Sequence, residues 1–93
     1  MTAPGRAPRD WLLATTARRI PGVAPTAPLT REHVALMAEL TIWDWHGTAD
    51  PTPESRADAH LLREALDRIP INDGDTRDEY ATRIQLAARG VAL

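Results

Sequence analysis

Three histidines, His33, His46 and His60, are the side chains of this sequence best suited to hold a metal or move a proton, and Glu32, Asp44 and Asp50 stand near enough in the chain to add oxygen ligands. Their spacing argues against such a site. No H-x-x-x-H, H-x-x-E-H or H-E-x-x-H pair occurs, Asp44 and His46 are two residues apart and diverge on a helix, and His60 points nearly opposite the apolar face of its own segment. The histidines are expected at the surface, with no metal ligands among them. The acidic stretch from Asn72 to Glu79 suggests calcium, but placing Gly74 at the sixth position of an EF-hand loop puts Ile69, Ile71 and Tyr80 where oxygen ligands are required. A turn leading into a capped helix explains the same residues.

Nucleophilic chemistry has no recognisable setting. The chain lacks cysteine, Ser55 is its one serine and falls where the first turn of a helix would use it, and neither G-x-S-x-G nor a glycine-rich phosphate loop is present. Thirteen acidic residues leave carboxylate pairs conceivable, but spacing alone does not single one out, and a solvated helical surface accounts for them. The sequence therefore predicts a non-enzymatic protein with no catalytic residue, no cofactor and no metal.

Nucleic-acid binding is the alternative raised by eleven basic residues, all arginine. They are dispersed among acids, and Arg77, Arg83 and Arg89 are spread around the last helix at about 120° to one another. The ending R-I-Q-L-A-A-R-G-V resembles the first helix and turn of a helix-turn-helix, but no recognition helix follows it. The formal charge of −2 fits neither a nucleic-acid sleeve nor a polyanion mimic.

Ninety-three residues make one domain of modest core. With no cysteine, no secretory leader in the first residues and no apolar run of about 18 residues, the chain is expected to be cytoplasmic and without a membrane span. The absence of lysine and phenylalanine, whose codons are AT-rich, together with abundant alanine, points to a GC-rich bacterial or phage genome.

The elements that would position these residues are helices. Residues 1–9, with Pro4, Gly5 and Pro8, read as an irregular or mobile arm ahead of a helical domain spanning 10–93. The spacing predicts an all-α bundle of about four helices, over 10–20, 31–46, 53–69 and 76–89, with a proline-rich connector between the first two. Asp10, Thr30, Thr52 and Thr76 are the expected N-caps, Pro53 suits a first helical position, and Thr76 with Glu79 forms a capping box. The third helix has one apolar face of Leu61, Leu62, Ala65, Leu66 and Ile69, and the fourth has Tyr80, Ile84, Ala87, Ala88 and Val91.

The second helix is different because it is apolar on two sides. Leu36, Met37, Leu40 and Trp43 fall on one side and are expected in the core, while Val34, Ala38, Ile42 and Trp45 fall roughly opposite. Either another helix of the chain covers the second stripe or a partner does. The reading favoured here is a helical protein–protein interaction module, a regulatory, adaptor or accessory subunit, whose interface is Val34, Ala38, Ile42 and Trp45 with Glu39, Asp44 and His46 at the rim. Trp11 is a further contact or folds beneath the arm. A DNA-binding regulator and a homo-oligomeric structural protein are the alternatives.

Overall fold

The computed structural model describes residues 5–91. Four α-helices, α1 (Arg9–Arg19), α2 (Arg31–His46), α3 (Pro53–Asp67) and α4 (Arg77–Ala88), make up the fold, and no strand occurs among the described residues. The all-α bundle expected from the sequence is the observed architecture.

α1 is the hub. Leu12, Leu13, Ala17 and Ile20 are all fully or almost fully buried, and the helix packs against each of the other three, most extensively against α4. Its start corrects one expectation: Pro8 occupies the N-cap position with an extended backbone, and Asp10 lies inside the first turn. Pro8 has no backbone N–H to satisfy, its carbonyl accepts from Leu12 N at 3.0 Å, and Asp10 still lies near the positive end of the helix dipole. Two polar residues are buried where α1 meets α2. Thr16 Oγ1 lies 2.8 Å from Leu12 O and 3.1 Å from Thr41 Oγ1, and Thr41 donates to Met37 O at 2.9 Å, so both hydroxyls are satisfied without water.

α2 begins at the Thr30 cap, which accepts from His33 N, and ends at Gly47, whose φ of 73° is the left-handed conformation that lets its N–H return to Trp43 O at 2.8 Å. α3 begins with the Thr52–Ser55 reciprocal cap and Pro53 in its first turn. It closes at Asp67, two residues before the expected end, because Ile69 N turns back to Leu66 O at 2.9 Å ahead of Pro70. α4 has its capping box at Thr76 and Glu79, and Val91, expected on its inner face, is 48% exposed beyond the helix end.

The proline-rich connector clamps the start of α4. Ala27 O accepts from Arg77 N at 3.0 Å, Pro25 O accepts from Asp78 N at 2.9 Å, and Leu29 N donates to Asp75 O at 3.0 Å. Two first-turn amides of α4, which have no partner within their helix, are thereby paired with a segment some fifty residues earlier. The Asn72–Asp75 turn is held from inside: Asp75 accepts from Asn72 N at 2.7 Å and from the Arg83 guanidinium. Tyr80, buried beside it, donates its hydroxyl to Ile69 O at 2.7 Å, and burial pushes the phenol above its ordinary pKa.

The structure largely exchanges the roles of the two stripes on α2. Val34 (7% exposed) and Ile42 (6%) join the core with Leu62, Leu66 and Ile69, and of the stripe expected inside Met37 packs against the core, whereas Leu36 is 48% exposed and Leu40 and Trp43 are half-buried outside the core cluster. Hydrophobic spacing fixes that two stripes exist. Which one turns inward is decided by α1, whose Thr16 docks on Thr41 and so aims the Thr41 side of α2 at the centre.

Candidate partner-binding groove

α2 and α3 leave a groove between them. Its floor is Val34, Ile42, Leu62, Leu66, Ile69 and Tyr80, and its volume is about 980 Å³. Small side chains, Ala35 and Ala38 on α2 and Ala59 on α3, keep the walls low, and Leu36 and Trp43 stand along the outer rim of α2. Both walls are charged. α2 contributes Arg31, Glu32 and Glu39, and α3 contributes Arg56, Arg63 and Asp67. Arg31, Glu39, Arg63 and Asp67 form no ion pair within the described residues.

The residues expected to form an interface divide between two places. Val34, Ala38, Ile42 and Glu39 all line the groove. Val34 and Ile42, however, are floor rather than free surface, since the chain's own core covers most of each side chain. Asp44, Trp45 and His46 lie elsewhere, each engaged within the chain. Asp44 pairs with Arg19 at 2.7 Å. Trp45 donates its indole N–H to Gly5 O at 2.8 Å and meets Trp11 edge to face with ring centroids 4.9 Å apart. Trp11 therefore packs on a neighbour in the same chain.

His46 leads to a residue that the sequence reading missed. Its Nε2 lies 2.8 Å from Asp58 Oδ2, and both side chains are buried. Asp58 also accepts from Ala7 N at 2.9 Å and from the Arg6 guanidinium, so one carboxylate ties the arm, the end of α2 and the second turn of α3. Burial by itself raises a carboxyl pKa, but the Ala7 amide, Arg6 and His46 together outweigh it and hold Asp58 below the usual value. A signal for this acid does exist. Asp58, Leu62, Ala65, Leu66 and Ile69 share one face, so an aspartate stands where the helical period demands an apolar residue.

The remaining histidines are placed without a common centre. His33 Nε2 is 2.7 Å from Ile20 O, and His60 faces Glu64 across one exposed helical turn at 3.3 Å. Among the described residues no three His, Cys, Asp or Glu side chains converge as a metal cluster. Ser55, the one hydroxyl nucleophile of its kind, is committed to the α3 cap. No described helix is long and apolar enough to cross a membrane. The groove has the features of a binding surface: apolar floor, low walls and a charged rim.

No family model, curated protein or solved structure matches this chain.

Proposed function

We propose that this chain is a small non-enzymatic protein–protein interaction module, an accessory or regulatory subunit of a bacterial or phage system, and that its α2–α3 groove receives an apolar helical segment. The observation that carries the reading is the groove itself, an apolar trough of about 980 Å³ between two helices with charged walls. An amphipathic helix laid in such a trough buries side chains at every first and fourth position of its heptads, and the mixed charges along the two walls set its orientation. Compared with the sequence reading, the interface moves around α2: Ala35, Ala38 and Glu39 face the incoming segment, with Leu36 and Trp43 at its edge, while Trp45 belongs to the packing of the arm.

The test uses Ala35, an exposed α2 position lining the trough, where a large side chain enters the groove from its wall rather than from the core. The apolar dye 1-anilinonaphthalene-8-sulfonate is titrated at about 1 μM folded protein, a concentration below typical micromolar association. Wild type is expected to enhance and blue-shift the dye emission, and Ala35→Arg to lose most of that enhancement with an unchanged helical circular-dichroism spectrum. Equal enhancement by both proteins, or none by wild type, overturns the groove as a binding surface.

A further inference from the structure

We propose that the occupant of the groove is a second copy of this chain, the two copies being related by a two-fold axis running along the groove. The proposal rests on the reading of the groove as a docking surface and names its partner. Each wall carries both signs, with acids in the majority on α2 (Arg31, Glu32, Glu39) and arginines in the majority on α3 (Arg56, Arg63, Asp67). α2 presents Arg31 near its start and Glu39 near its middle; α3, returning antiparallel after the loop 47–52, presents Asp67 near its end and Arg63 one turn earlier. These four charges are unpaired within the described residues of one chain.

A two-fold axis parallel to the groove stacks α2 of one protomer on α3 of the other. That sets Glu39 against the partner's Arg63 and Arg31 against the partner's Asp67, each contact made twice because the interface is isologous. The alternative two-fold, perpendicular to the helices, stacks α2 antiparallel on α2 and, where it passes the middle of the helix, sets Glu39 against its own copy, which like-charge repulsion opposes. The chain thus supplies in itself the charge pattern that its groove requires of a partner. Its apolar surface agrees. Leu36 is exposed and Trp43 half-buried at the rim, where the same rotation sets them against the partner's α3, and Ala35, Ala38 and Ala59 permit close helix approach. The formal charge of −2 per chain leaves little net repulsion against pairing.

Helices of this length give an interface at the small end of specific complexes, so association in the range of about 10 μM is expected. Light scattering on the full chain from about 5 to about 500 μM should show the mass rising from 10.2 kDa to twice that value. Leu36→Asp should hold the mass at one chain throughout with its helical circular dichroism retained. Glu39→Arg and Arg63→Glu should each weaken pairing by at least about tenfold, and the double reversal should restore it to within about threefold of wild type. A wild-type mass of one chain at about 500 μM overturns the second copy as occupant, as does failure of the double reversal to restore pairing. The dye titration separates the two levels: a one-chain mass with dye enhancement removes only the second copy, whereas a one-chain mass without enhancement removes the docking surface as well.

Discussion

Asp58 concentrates more of the fold than any other single side chain, because three separate donors converge on a carboxylate that has no access to water. Replacing it with alanine strands His46 in the interior and frees the arm, and an uncompensated buried partner of this kind costs about 3 kcal/mol. Urea denaturation of Asp58→Ala should register that loss with little change of slope. The acid side of the stability profile carries the same signature. A carboxyl held below its ordinary pKa contributes stability that is present above the unfolded value and is lost as pH falls through the folded one. Asp58 and Asp75 are both held low, the latter chiefly by Arg83. The protein should therefore keep its stability from neutral pH down to about pH 4 and lose it below, and Asp58→Asn should flatten that acid limb. An unchanged limb in Asp58→Asn would remove Asp58 from the account. The placement of Asp58 on an apolar face was readable from its spacing to Leu62, but its donors were not. Arg6 and Ala7 lie more than fifty residues away, and no local pattern encodes that distance.

At the level of elements, caps explain why helix positions were so nearly legible. Thr30, Thr52 and Thr76 each accept the amide three residues on, an interaction confined to four consecutive residues and hence visible in the chain itself. Thr76→Ala should lower stability by about 1 kcal/mol in thermal or urea unfolding, since the hydroxyl bond is lost while the connector still holds the first amides of α4. Tyr80→Phe should cost a comparable amount, about 1 kcal/mol, by leaving the buried Ile69 carbonyl without its donor. The orientation of α2 was not legible, for a definite reason. Its two apolar stripes are alike in composition, so the choice passes to tertiary contacts: Thr16 on Thr41, His33 on Ile20 O and His46 on Asp58. All three anchors lie on polar atoms that a hydrophobic pattern ignores.

Considered whole, the molecule has a closed side and an open one. The closed side joins the arm, Trp11, Trp45 and Asp58, and it absorbs the tryptophan that the sequence marked for a partner. Removing residues 1–7 should red-shift the tryptophan emission and lower stability, because Trp45 loses the Gly5 carbonyl and Asp58 loses two donors. Emission unchanged by that deletion would contradict the arm contact. The open side is the α2–α3 groove, whose floor is built by the same Val34 and Ile42 that close the core.

The close packing of α1 on α4 has a bearing on how the chain is made. During synthesis the first helix emerges while its main partner is still to be translated, and Leu12, Leu13 and Ile20 then have only part of their final cover. The connector likewise waits for Arg77 and Asp78 before its carbonyls find their amides. The bundle therefore closes only once α4 has left the ribosome, and nascent chains arrested before α4 should be open to proteases that the folded bundle resists.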